Sequence, residues 1–302
     1  MRSGGRDRRA GERQLKKPID DRARERRRRR LRRLRRHGRR AYIRSVYFLP
    51  SMATLGNAIC GFAAAYMAAL GNHWSMAAYL IFAAMIFDAL DGRLARIARH
   101  TTDFGGQLDS LSDVVSFGVA PAFTALLLMK AAYPGLPPAV ARLIWAISAL
   151  YICCAALRLA RFNVSNEHGE QHHFSFLGLP SPAAGGTIAA WIIMQQEVAH
   201  NAFDQGDSWG AHIFNHVSSI CLILLPLIVL LSGLLMVSQI RYPHLVNRYL
   251  RGRRSIGRLI LVLNGLLALV VYYQYVAALG MIIYVLWGAT SAIMRMRRRP
   301  IV

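Results

Sequence analysis

Acidic side chains are scarce in this chain. Its 302 residues include 15 Asp and Glu against 38 Lys and Arg, a net charge of +23. Cysteine is scarcer still. Cys60, Cys153, Cys154 and Cys221 all lie in apolar runs, and none stands at metal-ligand spacing from a His or another Cys. That excludes a disulfide framework and a thiolate zinc site, and leaves the four as small buried apolar residues. Strand-type alternation is missing, and so is any internal repeat. No apolar stretch follows directly on a short basic segment, so a cleaved signal peptide is not expected. The first apolar span would act as its own uncleaved signal.

What the chain does have is apolar length and an uneven charge. Hydrophobic residues make up 54%. Residues 1–44 hold 21 of the 38 basic residues and 5 of the 15 acidic ones, so they carry about +16 and the other 258 residues about +7. This basic segment has too few apolar residues for a core. A disordered cytoplasmic tail is expected, or a surface helix attracted to anionic membrane lipids by roughly 1 kcal/mol per basic residue. Arg tracts also attract nucleic acid through counterion release. Here no aromatics interleave with the arginines to stack on bases, so no nucleic-acid partner is expected.

Eight segments have the roughly 17–25 residues a bilayer span requires. They lie near 47–70, 75–97, 107–130, 139–160, 181–199, 217–239, 257–274 and 277–294. The even connections are rich in arginine (Arg93, Arg96, Arg99; Arg158, Arg161; Arg241 to Arg258), as are both termini. The odd ones are poor in it: 71–74 has no basic residue and 200–216 has Asp204 and Asp207, with Lys130 and Arg142 a mild exception in the third. Basic loops stay cytoplasmic, so both termini are expected there. The fold class is all-α integral membrane with about eight transmembrane helices. The expected organisation is a tail over 1–44, a membrane core over 45–240, and a basic loop with two additional spans over 241–302.

Against that background the few acids stand out. Asp88, Asp91, Asp109 and Asp113 fall within 26 residues beside apolar spans. Charge in a membrane is costly, so an intramembrane carboxylate marks function by default. Residues three and four apart share a helix face. Asp88, Asp91, Gly92, Ala95 and Arg96 therefore form one stripe at the end of span two, and Asp109 and Asp113 another at the start of span three. A short turn near Thr101–Gly106 lets the stripes face each other. Four unpaired carboxylates would repel strongly. Hard divalent cations prefer such oxygen ligands, and two metals about 3.5–4 Å apart could clamp a diphosphate. Gly92 and Ala95 leave room for a substrate, Gly105 permits close backbone approach, and Arg96 can grip a phosphate oxygen. Helix-end charges reaching for water are the bland alternative. A secondary transporter also carries buried acids, commonly in paired halves with broken helices. Spans five to eight hold no second acid cluster, which favours a single catalytic site.

The run Asp88-x2-Asp91-Gly92-x2-Ala95-Arg96-x8-Gly105-x3-Asp109-x3-Asp113 resembles, at every fixed position, the signature of the CDP-alcohol phosphatidyltransferases. These membrane enzymes move a phosphatidyl-type group from a CDP-linked donor to an alcohol and release CMP. The resemblance implies a six-helix core, with the last two spans as additions, and a homodimer. It implies that the four aspartates bind two divalent metals, Mg or Mn, with Asp113 also the base. It further implies that Gly92, Arg96, Thr102 and Gly105 hold the CDP-diacylglycerol donor. The family opens its first span with a Pro-Asn-x-x-Thr-like element. Pro50-Ser51-Met52-Ala53-Thr54 stands there instead, with Ser51 replacing the Asn. Ser51 and Thr54 would meet the nucleotide, and Asn57, one turn on, can supply the amide. Capping of the first span is the alternative for these three.

Two later elements bear on the acceptor. Arg158-Leu-Ala-Arg161-Phe162-Asn163 and Phe176-Leu-Gly178-Leu-Pro180-Ser181-Pro182 resemble the branch that uses L-serine, the membrane-embedded bacterial and archaeal type. That implies transfer to the serine hydroxyl at the cytoplasmic face of a bacterial inner membrane. Arg158 or Arg161 could take the serine carboxylate, and Asn163 could take the ammonium. Positive-inside topology alone would also place arginines there. Glycerol 3-phosphate, inositol phosphate and choline remain as acceptors. His172 and His173 are a loop pair expected to be solvated.

Overall fold

A computed structural model describes residues 51–98, 103–167, 175–204, 209–238, 240–243 and 272–297. The basic tail, all but the last three residues of the expected span over 257–274, Thr102, His172 and His173 lie outside these residues. So do the side chains of Ala95 and Arg96.

Eight helices are described. Helix α1 spans Ser51–Leu70. It stops where Gly71 and Asn72 both take left-handed backbone conformations, φ 71 and 59, a common helix ending that turns the chain back at once. Helix α2 (Trp74–Ala98) runs antiparallel to it. Helices α3 (Asp103–Asp113) and α4 (Ala120–Ala132) are two ends of one long rod, interrupted by a π-helical turn over Val114–Val119. Pro121 helps explain this break. It has no N–H to return to the Phe117 carbonyl, and the Tyr151 hydroxyl donates to that oxygen instead, at 2.9 Å. Helix α5 (Pro138–Glu167) begins on a proline, which suits a first helical position. It runs about two turns past the expected end of its span, so that Arg161 and Asn163 are helical as well as Arg158.

Helix α6 (Ser181–Asp204) is the centre of the bundle, with Ala184 to Ala190 all buried. Its small residues allow close crossings: a Cβ at Gly185 would lie 3.2 Å from Phe117 Cα, and one at Gly186 would lie 2.9 Å from Met85 Sδ. Small-residue packing of this kind holds membrane helices together where lipid is as apolar as the core. Polar links to α7 (Trp209–Val237) add to it. Gln195 donates to Ser218 Oγ at 3.0 Å, and the Trp191 indole donates to the Cys221 carbonyl at 2.8 Å. Helix α8 (Tyr273–Arg297) packs against the other side of α6.

Among the described residues, α1, α2, the α3–α4 rod, α5 and α7 are long and apolar enough to cross a membrane. Their outer faces carry exposed Ile59, Phe62, Leu143, Ile223 and Leu231, as lipid contact requires. The chain is thus a helical membrane protein.

One element departs from the all-helical expectation. Strand β1 (Ser175–Leu177) pairs antiparallel with β2 (Arg241–Pro243), Phe176 opposite Tyr242. Three residues are too few to produce a visible alternation. The pairing ties the start of α6 to the end of α7, helped by Leu179 N–H donating to the Leu235 carbonyl at 2.9 Å. Gly178 sits at φ 85, where any Cβ would come 2.2 Å from the Met236 carbonyl oxygen.

Candidate active site

The acid stripes meet as the helical spacing predicts. One carboxylate oxygen each from Asp88, Asp91 and Asp109 lies within 4.8 Å of the other two. Asp91 is buried, and Asp88 and Asp109 are half-buried. Among the described residues, Asp91 Oδ2 and Asp109 Oδ1 are enclosed without a hydrogen-bond partner. Buried acceptors are normally satisfied, so unpartnered oxygens on two of three converging carboxylates fit a hard cation.

Asp113 lies one helical turn beyond Asp109. It is buried, accepts a hydrogen bond from Asn57 Nδ2 at 3.0 Å, and stays within electrostatic reach of Asp88 and Asp109. It borders the trio without joining its tight convergence. The π turn begins at the next residue, and such turns are frequent at functional sites. It re-aims the chain after Asp113 so that Ser116 faces α1 and donates to the Asn57 carbonyl at 2.8 Å. The helices touch there because residue 61 is glycine. A Cβ at Gly61 would fall 2.6 Å from Ser116 Cα. Asn57, Gly61, Ser116 and Tyr151 thus form a frame behind Asp113. Sequence reasoning missed Gly61, Ser116 and Tyr151 in this role. Pro121 three residues after the Gly118 position was the available signal for the broken helix.

The first-span residues face the acids, with different partners from those expected. Thr54 is buried and its side chain hydrogen-bonds Asp91. Asn57 has no exposed surface. Its amide, expected to meet the nucleotide, serves Asp113. Ser51 is half-buried at the head of α1. Gly92 is exposed, and among the described residues no atom lies within 4 Å of where its Cβ would stand. Gly105 lies on the first turn of α3 and Arg96 on the last turns of α2.

The acceptor candidates separate. Arg158 turns inward: its Nη1 donates to Ser181 Oγ at 2.6 Å, and its charge acts on Asp88 and Asp113. Arg161, nearly one turn on, is exposed. Asn163 and Ser110 hydrogen-bond each other at 2.9 Å, clamping the end of α5 onto α3 next to Asp109. A groove of about 400 Å³ flanks the acids along α2, lined by Phe82, Met85, Ile86, Ala89, Leu90 and Arg93.

Comparison with known proteins gives the same picture from another direction. The family model described as CDP-alcohol phosphatidyltransferase matches residues 47–240. A CDP-diacylglycerol–serine O-phosphatidyltransferase of Helicobacter pylori (strain ATCC 700392 / 26695) is 34% identical over 202 residues, 67% of this chain and 74% of the relative. One from Methanocaldococcus jannaschii is 34% identical over 207 residues, 68% of this chain and 79% of the relative. One from Bacillus subtilis (strain 168) is 37% identical over 140 residues, 46% of this chain and 71% of the relative.

Proposed function

Because the chain belongs to the CDP-alcohol phosphatidyltransferase family, we propose that it transfers the phosphatidyl group of CDP-diacylglycerol to the hydroxyl of L-serine, giving phosphatidylserine and CMP. The observation that carries this reading is the convergence of Asp88, Asp91 and Asp109, two of them with oxygens unpartnered among the described residues, near a half-buried, inward-turned arginine. Asp88, Asp91, Asp109 and Asp113 would hold two divalent cations, Mg or Mn. Such ions neutralise a diphosphate and stabilise charge building on the attacked phosphorus.

The chain's own residues do the rest. The donor comes in laterally from the bilayer, with an acyl chain along the apolar groove on α2 and the diphosphate over the acids. The open space at Gly92 admits the cytidine end, with Ser51, Thr54, Arg96, Thr102 and Gly105 around it. Asn57 holds the Asp113 carboxylate in place through its amide. Asp113 takes the proton from the serine hydroxyl. The serine oxygen then bonds to the lipid-linked phosphorus while the bond from that phosphorus to the bridging oxygen of CMP breaks. Arg158 receives the serine carboxylate, with Arg161 and Asn163 at the rim. One enclosed guanidinium, already bound to Ser181, matches a single carboxylate better than a doubly charged phosphate. The same chemistry with glycerol 3-phosphate, inositol phosphate or choline is the second reading, since Arg158 and Arg161 together could take a phosphate.

Topology fits this account. Basic residues gather at the ends of α2, α5 and α8, which supports a site on the cytoplasmic face of a bacterial inner membrane. The organisation is a tail over 1–44, a catalytic core over 45–240 with six spans, and two additional spans beyond it. A homodimer is part of the same proposal, with the tail held to anionic lipid.

CMP release from CDP-diacylglycerol, with serine, glycerol 3-phosphate, inositol phosphate or choline added singly, tests the reading. Serine is expected to raise the rate at least about tenfold over no acceptor and to yield phosphatidylserine. Stimulation by another alcohol alone would move the assignment to that acceptor.

A further inference from the structure

Helix α8 lies beyond the segment that matches the family, which ends at residue 240. Its first turn is tied to the end of the bundle away from the acids. The Tyr273 and Tyr79 hydroxyls are 2.5 Å apart, and Asn201 Nδ2 donates to the Tyr275 hydroxyl at 3.3 Å. From there α8 runs antiparallel to α6, back toward the acid side. Met281 Cε would lie 3.0 Å from a Cβ at Gly186, which marks where the two helices cross. Three residues on, roughly 4.5 Å along the axis, Tyr284 lies on the same face. Five residues back along α6 from Gly186 stands Ser181, the hydrogen-bond partner of Arg158. Tyr284 is half-buried against the core, and Arg158 and Tyr284 act on each other electrostatically. A phenol so placed brings a polar group within electrostatic reach of the guanidinium that Ser181 holds on α6.

We propose that α8 completes the acceptor end of the site, with Tyr284 as a positioning residue that sets the direction of the Arg158 guanidinium. The proposal rests on the reading of Arg158 as the seat of the serine carboxylate. A guanidinium has a planar fork of donors. Ser181 holds one arm and Tyr284 limits rotation of the other, which leaves a fixed face for a carboxylate. A core ending at α7 would present the same arginine with one tether fewer.

The test is steady-state kinetics on the full-length protein in detergent–lipid micelles, with serine and CDP-diacylglycerol varied separately. Serine-dependent CMP release by the unsubstituted protein comes first, and its absence would remove the functional reading itself. Given that release, Tyr284→Phe is expected to raise the KM for serine about tenfold, the size of effect that losing one polar partner beside a charged group has. The KM for CDP-diacylglycerol should stay within about twofold. Met281→Leu, a volume-conserving change on the same helix, should leave both constants unchanged. In an Arg158→Lys background Tyr284→Phe should add almost nothing, because the two act as a unit. An unchanged serine KM in Tyr284→Phe would overturn the proposal. So would full additivity with Arg158→Lys, or an equal effect from Met281→Leu.

Discussion

Asp109→Asn is expected to lower CMP release by at least about 10³-fold while leaving the protein folded, and to raise its melting temperature without metal. The two halves have one cause. Asp109 has an enclosed oxygen with no partner among the described residues, and it shares a space with Asp88 and Asp91. The amide keeps the shape and one oxygen but loses the charge. About 4 kcal/mol of lost transition-state stabilisation corresponds to that fall in rate, which is within reach of removing one ligand from a metal site. In the apo protein the same carboxylate is a liability, because like charges crowded in a poorly solvated cleft repel. Asn removes that repulsion. A parallel loss of rate and thermal stability would instead make Asp109 a structural residue. Retained turnover would remove it from the site altogether.

Arg158→Ala should cost about 10²–10³-fold in serine-dependent turnover at fixed, low serine. The side chain bonds Ser181 and counters charge from Asp88 and Asp113, so truncation removes the acceptor's anchor and leaves the acids less compensated. Two further results separate these effects. Arg158→Lys keeps the charge and loses the fork; its serine KM should rise while its metal requirement stays unchanged. Arg158→Ala should bind Mn²⁺ at least as tightly as the unsubstituted protein, since a positive charge has left the neighbourhood of the cation. If Arg158→Lys matches the unsubstituted serine KM, the arginine serves only charge balance, and the acceptor is held elsewhere.

The acids were legible because helical spacing is a strong geometric statement. Asp88-x2-Asp91 and Asp109-x3-Asp113 could only form stripes, and a turn between two spans could only set them face to face. The structure differs in how Asp113 is used. The spacing treats it as equal to the other three, whereas it is buried and held by Asn57. Asn57 was legible as a polar residue in an apolar span, yet its direction was not. An amide at that position can face a ligand or a carboxylate, and only the packing of α1 on the π turn decides. The π turn left only Pro121 as a sign, because helical periodicity carries no mark of a single extra residue per turn. The central place of α6 was hidden too. Gln195, Gln196 and Glu197 make it the least lipid-like of the long helices, and hydropathy cannot tell a weak span from a sheathed one. The β1–β2 pairing links segments more than 60 residues apart through three residues each, which leaves no local pattern to read.

The most direct measurement is CMP release from CDP-diacylglycerol plus serine by protein stripped with EDTA, followed as Mn²⁺ or Mg²⁺ is added back. The account predicts no turnover in the stripped protein and recovery on adding metal. It also predicts that neither Asp91→Asn nor Asp109→Asn recovers at any Mn²⁺ concentration that saturates the unsubstituted protein. Full turnover in EDTA, or equal recovery by these variants, would contradict a metal-binding role for the aspartates.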